Sequence, residues 1–123
     1  MKVLLSIKPE YAEKIFDGSK TYEYRRAIFD AERVTTVVVY ASAPVQRVIG
    51  EFEIEHIIQD EPRTLWERTG AHGGISQEGF QQYFSDKANG YAIKVKEAKR
   101  YKVPAKLESF SISFPPQSFT YLA

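Results

Sequence analysis

Cysteine is absent from the 123-residue sequence, and histidine is scarce, with only His56 and His72. The lack of cysteine excludes disulfide bonds and thiol chemistry. Zinc needs about three protein ligands, so two histidines without cysteine argue against a metal site. We therefore expect no metal and no cofactor. The absence of cysteine also fits a reducing compartment, and we expect a cytoplasmic protein.

An excess of charge of either sign is also missing, because 17 basic side chains face 16 acidic ones. A near-neutral protein does not attract nucleic acid through its overall charge. Any anionic ligand must therefore be bound by a local cluster of cations. No segment approaches the length of an apolar membrane span, so we expect no membrane partner.

Two common catalytic motifs are missing as well. The sequence has no Gly-x-Ser-x-Gly segment, which argues against a serine hydrolase. It has no glycine-rich phosphate loop, which argues against nucleotide-driven chemistry. The remaining conspicuous side chains have structural interpretations. We expect His56 to be a partly buried core residue on the side of Phe52, His72 to be a loop residue, and Trp66 to pack a helix on the sheet.

The hydrophobic pattern predicts an α+β fold. Outside the charged segment described below, strands are predicted at 2–7, 34–42, 47–58, 90–96, 100–103 and 110–114. Short helices are predicted after Pro9, Pro62 and Ser76, and Gly18 ends the first of them. Many short strands with turn signals favour a barrel. We therefore predict one domain over residues 1–123, a small mixed β-barrel with about three short flanking helices.

One short strand after the first predicted helix is unusually charged. Alternation places Glu23 and Arg25 on one face and Tyr22 and Tyr24 on the other. We expect the tyrosines to point inward and the charges to lie on an open face, with Lys20 at the strand entry. Arginine offers a planar fork and lysine a point charge. The pattern predicts a polar site for a nucleobase with its phosphate, or alternatively a surface network of ion pairs.

Two further residues are candidates for the same ligand. Lys8 precedes Pro9 at the start of the first helix, where backbone N–H groups and the helix dipole favour an anion. Lys8 is therefore either part of a phosphate pocket or a solvated lysine. Ser42, at the end of the strand predicted at 34–42, is a further candidate ligand-binding residue.

The segment Gly18-x-Lys20-x-x-Glu23-x-Arg25, after a short amphipathic helix, resembles the signature of the ASCH family, a branch of the PUA-like superfamily. Three later segments, YASAPVQRVIGEFEI, ISQEGFQQYFSDKANGYAIKV and PPQSFTYL, are similar to segments of small bacterial ASCH proteins. The resemblance implies a PUA-like β-barrel with a groove between the motif strand and the first helix. It also implies recognition of RNA or of a modified nucleoside.

The same resemblance implies two possible activities. Some ASCH members are amidohydrolases that remove an acyl group from N4-acylated cytidine, and another type is a ribonuclease. The amidohydrolases use a lysine at the position of Lys20, a threonine where this chain has Glu23, and a glutamate in a region where this chain has no acid before Glu78. Two of these three positions differ, so we rank binding first.

A hydrolase is the alternative, with Lys20 as nucleophile or activator and Glu23 as general base. A lysine does this work only when its pKa is depressed. Arg25 and Lys8 would depress it, whereas Glu23 would favour the charged form. The third interpretation is a protein-interaction module in which these charged residues lie on the surface and bind no ligand.

Overall fold

The computed structural model describes residues 1–123 and contains one six-stranded sheet with three α-helices. The strands are β1 (Lys2–Ile7), β2 (Tyr22–Arg25), β3 (Thr36–Ala41), β4 (Arg47–Asp60), β5 (Gly90–Ala105) and β6 (Phe119–Leu122). The α-helices are α1 (Pro9–Asp17), α2 (Pro62–Thr69) and α3 (Gln77–Tyr83). None of these helices has the length and apolar character needed to cross a membrane.

The sheet has the strand order β2-β5-β4-β3-β1-β6. Only β1 and β3 run parallel, and every other neighbouring pair is antiparallel. The α+β class is therefore confirmed. The predicted barrel is not confirmed, because no backbone ladder joins the edge strands β2 and β6. The guanidinium of Arg25 instead reaches from β2 to the carbonyls of Ser6 and Ser118, so a side chain spans the gap between the edges.

Helix α1 forms where its sequence predicts it. Pro9 occupies the first turn, and Gly18 ends the helix with φ +89°, a left-handed conformation that glycine adopts without steric cost. The helix buries Ala12 and Ile15 against one face of the sheet. Thirteen buried residues form this main core, which includes Val37, Val39 and Phe52. The predicted core position of Phe52 is confirmed.

Helices α2 and α3 cover a different part of the sheet, beside β2. Their cluster contains Tyr24, Leu65, Phe80 and Phe84. Ser76 caps α3 as predicted, because its Oγ accepts a hydrogen bond from the Gly79 N–H at 3.0 Å. Trp66 packs against the Phe80 ring with a centroid distance of 5.1 Å, as expected for a packing residue.

Three sequence predictions are wrong in detail. The strands predicted at 90–96 and 100–103 are parts of one long strand, β5. The predicted strand at 110–114 is absent, because a 3₁₀ turn at Leu107–Phe110 is followed by Ser111 in a left-handed conformation, φ +60°. His56 is not a core residue, since its side chain is 48% exposed. Register shifts next to Ile54 break the alternation of β4 that would have turned His56 inward.

Candidate functional site

A cavity of about 500 Å³ lies between β2, α1, α3 and the segment that precedes β6. Lys20, Glu23 and Arg25 line it together. Its other lining residues with polar groups on their side chains are Ser6, Lys8, Tyr11, Tyr24, Gln82, Tyr83 and Gln117. The predicted motif strand and the first helix therefore do border one concave site.

All three charged residues of the motif are buried. The exposed fractions are 2% for Lys20, 6% for Glu23 and 8% for Arg25. The prediction that the charged face of β2 is open is therefore wrong, because α1, α3 and the C-terminal segment enclose it. The alternative of a surface network of ion pairs is wrong for the same reason.

Glu23 is the centre of this cluster. Its Oε1 lies 3.7 Å from the Lys20 Nζ, and its Oε2 lies 3.2 Å from Nη1 of Arg25. One carboxylate thus faces a cation on either side. A buried charge is tolerated only when it is paired and hydrogen-bonded, and this arrangement meets that condition.

Arg25 forms hydrogen bonds that join β2 to two other segments that border the cavity. Beyond Glu23, its Nη1 donates to the Ser6 carbonyl at 3.4 Å, and its Nη2 donates to the carbonyl and the hydroxyl of Ser118, each at 3.2 Å. Most donors of the guanidinium are therefore used within the protein. Arg25 orients Glu23 and ties the segment before β6 to the site.

Lys20 is held by the loop between α2 and α3. Its ammonium donates to the Gly73 carbonyl at 2.5 Å and lies 5.4 Å and 5.0 Å from the ring centroids of Tyr11 and Tyr24. The neighbouring Gly74 has φ +66°, and a Cβ there would lie 2.9 Å from the Lys20 Cβ. Glycine at this position therefore permits the close packing of the loop on Lys20.

Burial lowers the pKa of Lys20, and the nearby Lys14 lowers it further, whereas Glu23 opposes both by favouring the ammonium form. Desolvation is the largest of these effects. The sequence placed groups with opposing effects on the pKa of Lys20 near each other. In the structure the lowering effects are larger, so Lys20 loses its proton more readily than a solvated lysine. Perturbed groups in a cleft are typical of functional sites.

Two tyrosines supply hydroxyl groups to the same cavity. Burial raises the pKa values of Tyr11 and Tyr83, and the charge of Glu23 adds to both effects, so both remain protonated at neutral pH. Tyr83 donates to the carbonyl of Tyr24 at 3.1 Å. The Tyr11 hydroxyl makes no hydrogen bond within the protein and is free to contact a ligand.

The structure brings together four of the five ligand-binding residues predicted from the sequence, namely Lys8, Lys20, Glu23 and Arg25. Ser42 does not line the cavity. It lies in the turn after β3, where its backbone N–H donates to the carbonyl of Ile7 at 3.0 Å.

Gln82, Tyr83 and Gln117, on α3 and in the C-terminal segment, also line the cavity, although none of them was predicted from the sequence. No local pattern marks these residues, because only the packing of distant segments brings them to β2. His72 contributes its backbone alone, accepting a hydrogen bond from the Thr21 N–H at 2.9 Å. No group of three acidic or histidine side chains is placed to hold a metal ion.

Comparisons with known proteins agree with this architecture. The family model of the ASCH domain matches residues 5–110. An ASCH domain-containing ribonuclease of Zymomonas mobilis is 33% identical over 124 residues, which cover 98% of this chain and 84% of the relative. The crystal structure of ASCH from Zymomonas mobilis superposes with a TM-score of 0.89 at 30% identity, covering 99% of this chain and 87% of that one.

A more distant likeness is to the N-terminal domain of Staphylothermus marinus McrB. The TM-score is 0.51 at 13% identity, which shows a similarity of fold alone. The match of the family model over most of the sequence and the similarity to the Zymomonas protein over 98% of this chain identify the family. The chain belongs to the ASCH domain family.

Proposed function

We propose that this protein binds RNA, or a modified nucleoside or nucleotide, in the cavity that contains Lys20, Glu23 and Arg25. The observation that carries the proposal is the burial of these three charges in one cavity. Removing charges from water costs stability even when they are paired. A buried charged cluster that carries this desolvation cost and lines an open cavity is best explained by a ligand that it binds.

The lining of the cavity fits a nucleobase. Its volume of about 500 Å³ lies within the range of small-molecule sites, roughly 300–1,000 Å³. Glu23 offers an acceptor for an amino group, and the amides of Gln82 and Gln117 offer both donors and acceptors. Bases of single-stranded RNA are recognised in this way, by hydrogen bonds to their edges and by stacking on aromatic side chains.

The position of Lys8 supports a binding site for the phosphate of such a ligand. It is exposed, lines the cavity and directly precedes α1. The first N–H groups of a helix and a neighbouring lysine together favour an anion. The name of the Zymomonas relative, a ribonuclease, supports RNA as the class of ligand.

A hydrolase is the second candidate, and the lowered pKa of Lys20 favours it. A lysine that is partly unprotonated can act as a nucleophile or a base, and the Glu23 carboxylate, 3.7 Å away, can accept a proton. The same pair would serve deacylation of an N4-acylcytidine or cleavage of RNA. Binding needs only the polarity of this pair, whereas hydrolysis needs the unprotonated amine.

A binding titration combined with a turnover assay tests both candidates. The unaltered protein should bind a fluorescent single-stranded hexaribonucleotide or N4-acetylcytidine, and Lys20→Met should weaken that binding at least tenfold. With two or three phosphate contacts, the slope of log affinity against log salt for the RNA should be about −1.5 to −2. Lys87→Met, which removes an exposed lysine in the turn before β5, is the matched control.

The outcomes separate binding from chemistry. Release of cytidine or of RNA fragments that is abolished by Lys20→Arg would make hydrolysis the primary function, because arginine stays protonated. Binding without turnover, lost in Lys20→Met and Glu23→Gln, is the result that supports a binding protein. Failure of both RNA and nucleoside to bind at low salt would overturn the proposal.

A further inference from the structure

A second cavity, of about 300 Å³, lies beside the turn that follows β3. Its lining residues are Tyr40, Gln46, Arg47, Lys106, Leu107 and Glu108. None of them belongs to the first cavity, and none carries out a role in the site described above.

Tyr40 makes this cavity more than a surface depression. The residue is only 3% exposed, yet its hydroxyl makes no hydrogen bond within the protein. No fully buried side-chain polar atom of the protein is left without a partner. The Tyr40 hydroxyl therefore opens into the second cavity, where it can donate a hydrogen bond to a ligand.

Two cations accompany this hydroxyl. Arg47 donates from Nη1 to the carbonyl of Gln46 at 2.8 Å, which orients the guanidinium and leaves its other donors free. Lys106 is exposed, and neither cation takes part in an ion pair. Glu108 is the one acid in the lining, so the cavity has a formal net charge of +1. Oriented arginine, lysine and a hydroxyl donor are the groups that bind phosphate oxygens.

The two cavities lie at the same end of the sheet. Ser6 lines the first cavity and Tyr40 lines the second, and these two residues are register partners in the parallel pair of β1 and β3. Neighbouring strands are about 4.8 Å apart. The carboxyl ends of β1 and β3 therefore border both cavities, and a strand of several nucleotides laid across these ends can contact both.

We propose that the second cavity binds a phosphodiester group of an RNA strand of which another nucleotide occupies the first cavity. This inference rests on the proposed function and narrows its ligand to a single-stranded oligonucleotide rather than a free nucleoside. Arg47 and Lys106 bind the phosphate oxygens, and Tyr40 donates to the same group. Glu108 repels the strand and weakens the interaction.

The test uses the full chain and a fluorescent hexaribonucleotide. Arg47→Gln combined with Lys106→Gln should weaken RNA binding about tenfold at 0.1 M salt, and should make the salt slope shallower by about 0.7, the value for one phosphate contact on a single strand. Lys2→Gln combined with Arg33→Gln removes the same charge at the opposite end of β1 and β3, and should change neither quantity.

Two single variants sharpen the assignment. Tyr40→Phe keeps the buried ring and should weaken binding about fivefold, because only the hydroxyl is lost. Glu108→Gln should strengthen binding two- to fivefold, because it removes a repulsive charge. A merely structural role for these residues predicts weaker or unchanged binding for both, so tighter binding by Glu108→Gln is specific to the proposal.

The experiments distinguish failure of this inference from failure of the proposed function. If Lys20→Met weakens RNA binding and the Arg47 and Lys106 double variant does not, the second cavity is not an RNA site, although the first remains one. If inorganic phosphate binds the unaltered protein and not the double variant, while RNA affinity is equal in both, the cavity is a site for free phosphate and the proposal fails. If the unaltered protein binds no RNA, both the function and this inference are overturned.

Discussion

The two faces of β2 are both buried, but they are filled in opposite ways. On one face, Tyr24 packs against the rings of Phe80 and Phe84, at centroid distances of 4.9 Å and 6.1 Å. On the other, Glu23 and Arg25 line the cavity with their charges. Apolar burial stabilises the fold, whereas buried charge costs desolvation. This difference is what we expect if one face stabilises the fold and the other is kept for the proposed ligand.

The largest expected effect is on the apolar face. Phe80→Ala should lower the free energy of unfolding by about 3–5 kcal/mol, because it leaves a cavity among Tyr24, Trp66 and Phe84. Chemical denaturation measures the loss. A change below about 1 kcal/mol would mean that the cluster around α3 is not a packed core.

Removal of Glu23, the central acid on the charged face of β2, should lower the free energy of unfolding by nearly as much. Glu23→Ala leaves Lys20 and Arg25 buried without their shared carboxylate, and breaking such a pair costs about 3 kcal/mol. Denaturation at pH 7 checks this value. Glu23→Gln keeps the shape and an acceptor oxygen, so it should cost less. Equal stability of Glu23→Ala and the unaltered protein would contradict the buried geometry of the cluster.

A smaller loss of stability is expected when the hydrogen bond between Tyr24 and Thr69, on the apolar face of β2, is removed. The Tyr24 hydroxyl lies 2.7 Å from the Thr69 hydroxyl, which donates to the Leu65 carbonyl at 2.6 Å. Thr69→Val should cost about 1–3 kcal/mol, because the Tyr24 hydroxyl is left without a partner. Adding Tyr24→Phe should recover part of the loss. Simple additivity of the two substitutions would argue against the hydrogen bond.

The smallest expected effect on stability comes from substitution of Lys20. The sign of the pH dependence that Lys20 gives to the free energy of unfolding follows from its lowered pKa. Burial lowers the pKa of Lys20 in the folded state. Between that pKa and the unfolded value of about 10.4 the unfolded state binds more protons, so this lysine makes stability rise with pH in that window. Lys20→Met should lack the rise and should be equally stable or more stable at pH 7. The difference between the two proteins, measured at each pH, removes the contribution of the tyrosines.

The sequence predicted those parts of the fold that local chemistry determines. Helix α1, with Pro9 at its start and Gly18 at its end, follows from residues that are close in sequence. The approach of Lys20 to Glu23 and Arg25 follows from the same short segment. The resemblance to the ASCH family, based on this segment and three later ones, is confirmed.

Other features depend on distant contacts that leave no local pattern. The exposure of His56 results from register shifts between β4 and β5. The enclosure of Glu23 results from segments as distant as α3 and Gln117. Tyr40 and Lys106 both line the second cavity, although they lie far apart in sequence. Only the folding of the sheet and of the turn after β5 brings them to the same cavity. Alternation within one strand cannot show that both of its faces are covered.

The central claim is that the charged face of β2 is maintained for a ligand at the expense of stability. Denaturation of the unaltered protein and of Lys20→Met, each with and without the hexaribonucleotide, tests it most directly. A ligand at a hundredfold excess over Kd stabilises the folded state by about 2.7 kcal/mol. The claim predicts that RNA stabilises the unaltered protein by this amount but not Lys20→Met, which without RNA is at least as stable. A variant that is less stable alone, yet is stabilised by RNA as much as the unaltered protein, would contradict it.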